Sequence, residues 1–141
     1  MDMPLFAGRV ENNLDQQNRL FLPAKFRERL GETFYMYLPV NKDVHCVTLC
    51  TEERLEEVYQ ELAEESEGNI KEYKKAKRSL NNNLEEISAD KQGRISLKAN
   101  FCERAQLVKT ARIIGVGNEV EIWNPEVFDA EIDNDDFSNF S

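Results

Sequence analysis

A single histidine in 141 residues, His45, leaves imidazole catalysis with one candidate. It lies in the β-branched run around Val44 and Val47, where its neighbour Cys46 reads as an ordinary strand residue. Cysteine is equally sparse. Cys46, Cys50 and Cys102 are odd in number and form no CxxC pair, which argues against a disulfide framework and agrees with a reducing compartment. His45, Cys46 and Cys50 are too few donors for a closed structural zinc site, and nothing nearby completes the set, so they read as ordinary strand residues and no metal is expected. No apolar run reaches the ~18–20 residues a membrane helix needs. The opening "MDMPLFAGRV" has an acid at Asp2 and no basic stretch before an apolar one, so no signal peptide and a cytoplasmic location are expected. No glycine-rich phosphate loop and no nucleophile–base pair is present, so neither an enzyme nor a cofactor is expected.

Basic residues are also in deficit. Lys and Arg number 18 against 27 Asp and Glu, a formal charge of −9, which argues against a phosphate-rich partner. The distribution argues otherwise. Residues 1–50 balance six bases with six acids, and residues 89–123 hold six bases to four acids. The excess acid is confined to residues 51–88, with eleven acids to six bases, and to 124–141, with six acids and no base. Local charge decides what a face binds, and two segments are free of the acidic excess.

Those two segments share a pattern. "DQQNRLFLPAKFRER" (15–29) aligns with "DKQGRISLKANFCER" (90–104) at eight of fifteen positions, including Asp15/Asp90, Arg19/Arg94 and Phe26/Phe101. "VTLCTEERL" (47–55) matches "VEIWNPEVF" (120–128) in its alternation, polar cap and helix start. The chain is one plan written twice. Each half reads as a strand (9–14; 85–89), a charged turn, a second strand (19–22; 94–97), a short helix, two further strands (33–38 and 45–50; 111–116 and 119–123) and a capped helix opening after Thr51 or Asn124. Leu55, Val58, Tyr59 and Leu62 fall at i, i+3, i+4, i+7 of one apolar helix face. Gly68-Asn69 breaks that helix, and a basic stretch from Lys71 to Arg78 follows, read as a solvated face with a phosphate or partner contact as the alternative. The expected units are 5–66, a helical linker 67–83, a second repeat 84–129 and a flexible acidic tail 130–141.

The doubled D-x-x-x-R turn, "LFLPAKFRERLG" and the late "IIGVGNEVEIW" resemble the MraZ family, one of the AbrB/SpoVT-like swapped-hairpin transcription factors of bacteria. The resemblance covers about residues 5–129. Two positions depart from it: Asn18 stands where the family has glycine before the first arginine, and Lys98 where it has proline. Asn also tolerates positive φ, so the fold is expected to survive the first change. The resemblance implies an α+β, mainly β fold, with two tandem swapped-hairpin repeats closing a pseudo-dimeric β-barrel flanked by helices. It also implies a homo-oligomeric ring that is nucleoid-associated, binds short direct repeats of double-stranded DNA upstream of the division and cell-wall operon, and regulates its own promoter.

Arg19 and Arg94 are then the residues expected to reach phosphate or a guanine edge, with Asp15 and Asp90 holding the turns. Lys91, Arg9 and Lys25 are next in line. Arg27, Arg29 and Arg104 could instead pair with Glu28 or Glu103. A plainer reading leaves each Asp–Arg pair only stabilising its own hairpin. Two other readings stand beside DNA binding: a carboxylate-binding enzyme site built from the Asp–Arg pairs, and a ring-forming interaction protein docking a protein partner through its acidic tail.

Overall fold

The computed structural model describes residues 5–134, with side chains to residue 132. Among these residues eight strands and five helices make a mixed α+β fold. The first half holds β1 (Arg9–Asn13), β2 (Arg19–Phe21), α1 (Ala24–Leu30), β3 (Phe34–Tyr37), β4 (Val47–Cys50) and α2 (Glu52–Glu65). After α3 (Ile70–Asn82) the order recurs as β5 (Leu84–Ile87), β6 (Arg94–Ser96), α4 (Ala99–Arg104), β7 (Thr110–Gly115), β8 (Val120–Trp123) and α5 (Pro125–Asn134).

The strands pair across the two halves. A six-stranded antiparallel sheet runs β1-β7-β8-β4-β3-β5, and a two-stranded sheet joins β2 to β6. The first strand of each half thus pairs with the other half's third strand: Val10 lies opposite Ile113, and Glu86 opposite Tyr35. The halves also meet through β4 and β8, where Val47 faces Ile122.

Side-chain parity explains why the sheet is filled on both faces at its centre. Along β3, Phe34 and Met36 enter one core while Tyr35 and Tyr37 enter another. β4 is buried at every position. Val47 and Leu49 join the main core, and Cys50 joins the second. The main core packs Leu20, Phe26, Phe101 and Ile95 from both ribbon strands and both short helices against β7 and β8. Each large apolar side chain so buried contributes about 1.5–3 kcal/mol. The second core is closed by Leu55, Val58 and Leu62 of α2 with Leu80 of α3, the face the helical spacing predicts.

Local chemistry sets the boundaries. The backbone N–H of Arg54 donates to Thr51 Oγ1 (3.2 Å) at the start of α2, and that of Glu72 donates to Asn69 Oδ1 (3.1 Å) at the start of α3. Gly117 at φ +95° makes the tight β7–β8 turn, closed by Val116 N–H on the Glu119 carbonyl at 2.9 Å. Strand β4 begins at Val47 and not at His45, which stands before it.

One expectation changes. Helix α5 continues to Asn134, five residues into the stretch expected to fray as a tail. Arg112, 6% exposed on β7, holds Asp129 at 2.6 Å and Glu11 at 3.1 Å. Phe128 packs edge-on against Trp123. These contacts give the acidic helix a seat that its composition concealed. Residues 135–141 lie outside the described part of the chain.

Candidate nucleic-acid interface

The two charged turns fold alike, atom for atom. In the first, the Asp15 Oδ1 oxygen accepts from the backbone N–H groups of Gln17 and Arg19, both at 2.9 Å, and Oδ2 accepts from Arg19 Nε at 2.7 Å. In the second, Asp90 Oδ1 accepts from Gln92 and Arg94 N–H at 2.9 Å, and Oδ2 from Arg94 Nε at 2.9 Å. Asn18 and Gly93 take positive φ, +58° and +82°. Asn18 therefore does fill the place of glycine in the first turn.

Each carboxylate serves its turn as an internal cap and binds its arginine only through Nε. Among the described residues, neither terminal nitrogen of Arg19 has a hydrogen-bond partner. A guanidinium held this way keeps its outer edge free for a bidentate contact with phosphate or a guanine. Hydrogen bonds from the backbone, chiefly from Arg19 and Arg94, hold the Asp15 and Asp90 carboxyls below their ordinary range. Because each folded-state value is depressed, the turns' contribution is present above the ordinary carboxylate pKa and lost as pH falls through the folded value. In a side-chain NMR titration both carboxyls should titrate below 3.8. A midpoint at or above that value for either would mean its turn is not capped as described.

The pairing of β2 with β6 brings the turns together. Leu22 N–H donates to the Gly93 carbonyl (2.8 Å) and Leu97 N–H to the Asn18 carbonyl (2.9 Å), so each turn is sewn to the other half's strand. Arg94 Nη1 comes within 3.9 Å of Asp15 Oδ2. Leu20 and Ile95 point into the core, opposite each other. Arg19, Arg94, Phe21 and Ser96 are left on the outer face of the ribbon.

Of the seven residues expected at the site, the structure gathers Asp15, Arg19, Asp90 and Arg94, with Lys91 exposed within the second turn. Arg9 and Lys25 lie elsewhere. Arg9 opens β1 opposite Ile114, at the end away from the turn. Lys25 sits against Gly8, its ammonium 5.0 Å from the Phe26 ring centroid. Arg27, Arg29 and Arg104 bond carbonyls and not Glu28 or Glu103. Arg104 Nη2 reaches the Asn41 carbonyl at 2.8 Å, Arg29 reaches that of Leu5, and Arg27 Nε reaches that of Leu22 at 2.7 Å. Arg27 also lies over the ring of Phe21, 5.6 Å from its centroid.

Phe21 is the residue the sequence reading passed over. It is 43% exposed beside the second turn. Its signal was its parity: Leu20 and Leu22 face inward, so Phe21 faces out. A Cβ on Gly93 would stand 2.9 Å from Phe21 Cε1 and 3.0 Å from Arg27 Cζ. In the repeat the positions equivalent to Phe21 and Arg27 are held by the smaller Ser96 and Cys102, and Asn18 is exposed. This difference accounts for a glycine in one turn and an asparagine in the other. Gly93→Ala should cost about 1–2 kcal/mol, from positive φ and displaced side chains. Asn18→Gly should stay within about 0.5 kcal/mol of the parent. Urea denaturation measures both, and equal stabilities for Gly93→Ala and parent would contradict the close packing.

Two comparisons bear on this arrangement. The family described as "MraZ protein" matches the chain over residues 5–77 and 82–141. A protein of Mycoplasma mobile named "Transcriptional regulator MraZ" is 37% identical over 125 residues, which is 86% of this chain and 81% of that one.

Proposed function

The chain belongs to the MraZ family, and from that membership we propose that it is a DNA-binding transcriptional regulator, not an enzyme. The observation that carries the reading is the convergence of two Asp-anchored arginines on one exposed ribbon, with Arg94 Nη1 3.9 Å from the Asp15 Oδ2 that also holds Arg19. The relative from Mycoplasma mobile carries the name of a transcriptional regulator, and the two turns supply what such a protein needs for phosphate and base-edge contacts.

Arg19 and Arg94 make the direct contacts in this proposal. Asp15 and Asp90 fix their orientation, and Lys91 adds charge at the rim. Arg9 and Lys25, away from the ribbon, serve at most as outlying phosphate contacts. The proposal also includes closure of the two sheets as a swapped-hairpin barrel and assembly of several copies into a ring. Its target is short direct repeats upstream of the division and cell-wall operon, bound in the nucleoid of the cytoplasm. Repeated weak sites suit such an assembly, because tethering turns the second contact into an intramolecular event. Among the described residues no helix is long and apolar enough to cross a membrane.

The test is a gel shift on the DNA upstream of the protein's own gene at two salt concentrations. Tight binding that weakens as salt rises is expected, since each phosphate contact adds about −0.9 to the log–log slope. Absence of a shift at the lower salt would overturn the reading.

A further inference from the structure

The ribbon is two-fold symmetric at its arginines and asymmetric beside them. The symmetry axis passes between Leu20 and Ile95, which face each other across β2 and β6. Arg19 faces Ser96 on one side of that axis, and Arg94 faces Phe21 on the other. With perfect repetition each arginine would have the same cross-strand neighbour. Instead one has a hydroxyl and the other an aromatic ring. Phe21 is fixed in place: the Arg27 guanidinium covers it, and it packs over the bare Gly93. It lies on the same outer face of the ribbon as Arg19 and Arg94, opposite the buried Leu20 and Ile95.

We propose that this asymmetry gives the DNA-reading surface a direction, with Phe21 contacting a thymine methyl group on one side of the arginine contacts and Ser96 replacing it with a hydrogen-bonding group on the other. The inference rests on the DNA-binding reading above. The major groove admits a two-stranded β-ribbon, and the apolar partner it offers is the thymine C5-methyl. Residues two apart on a strand are about 6.6–6.8 Å apart, close to two base-pair steps at about 3.4 Å each. Arg19 and Phe21 therefore reach different base pairs of one short site. A surface that is symmetric in charge and asymmetric in apolar contact has a preferred orientation on its site, as non-palindromic targets require.

The experiment is selection of binding sites from a random duplex pool by the full-length protein, Phe21→Ser, and the exchange Phe21→Ser/Ser96→Phe. Each thymine of the selected sites is then replaced singly by deoxyuridine, which removes only the methyl group. The parent should select an asymmetric motif with a thymine at a fixed offset on one side, and uracil there should weaken binding about four-fold, the worth of one buried methyl-sized group. Phe21→Ser should lose that sensitivity while keeping the parent's salt dependence. The exchange should move the sensitive thymine to the other side. The uracil series needs no variant, so poor folding of the exchange leaves it decisive. A symmetric motif, or binding unchanged by uracil at every position, would overturn the directional contact and leave DNA binding standing. Failure to select any sequence at low salt would overturn both.

Discussion

Changing Arg19 and Arg94 together to alanine should reduce DNA binding to a background level while the protein still melts close to the parent temperature. Each arginine bonds its own turn's aspartate only through Nε, Arg94 adding a 3.9 Å approach to Asp15, and each aspartate still accepts two backbone N–H bonds when the guanidinium is gone. Solvent-screened Asp–Arg pairs contribute little to stability, so losing both should move the melting temperature only slightly. Binding has more to lose. If an arginine contacts only phosphate, its loss weakens binding on every sequence and lowers the salt slope by about one. If it reads a guanine edge, the loss is ~1–3 kcal/mol and falls on the specific site. The double variant should exceed either single. Arg94 should matter at least as much as Arg19, because Lys91, Arg27 and Phe21 surround its turn. Variants that bind like the parent but melt several degrees lower would show that the turns only brace the hairpins.

The largest loss of stability is expected from a single methyl group far from this ribbon. Gly115→Ala should destabilise the protein by about 2–4 kcal/mol. Gly115 closes β7, and the chain before β1 crosses directly over it. A Cβ there would lie 2.4 Å from the Ala7 nitrogen and 2.5 Å from the Phe6 carbonyl carbon. These obstacles are backbone and cannot swing aside as a side-chain tip does. Relief requires lifting residues 6–8, which breaks the Gly115 N–H bond to the Gly8 carbonyl at 2.8 Å and the paired bonds between Phe6 and Gly117. It also draws out Phe6, 2% exposed and in contact with Phe26. Removing a buried phenylalanine from a core costs about 3–5 kcal/mol, and partial relaxation brings the expectation slightly lower. The control is Gly117→Ala, where φ is +95° but nothing stands within 4 Å, so only backbone strain of about 1–2 kcal/mol applies. Equal melting temperatures for the two variants would show that residues 6–8 do not seat on β7.

The order of elements could be read from the chain because each is set by its own neighbours. Alternation marked "VEIW" and "ARIIG" as strands, Thr51 announced α2, and the 75-residue offset of Asp15 and Asp90 announced the repeat. The site's aspartates and arginines were legible for the same reason: the D-x-x-x-R spacing lets the carboxylate reach its own turn's N–H groups. What escaped depends on residues distant in sequence. Arg104 looked like a partner for adjacent Glu103, yet it bonds carbonyls of residues 39, 41 and 44. Nothing within fifteen residues of Gly93 announces that Phe21 and Arg27 will lie on it. The length of α5 was hidden by acidity, since its two anchors are Arg112 on another element and Trp123 before it.

The exchange of first strands between halves has a consequence for how the protein is made. While it emerges from the ribosome, β1 has no place to go until β7 follows, because Arg9 pairs with Ile114 and Asn13 with Thr110. At about 5–20 residues per second, the wait for roughly a hundred residues is about 5–20 seconds. The nascent first half spends that time with β3 and β4 able to pair with each other but with Leu20 and Phe26 still uncovered by the second half. A message truncated before codon 110 would yield no half-sized regulator, only an unfinished chain with open strand edges and a claim on the cell's chaperones.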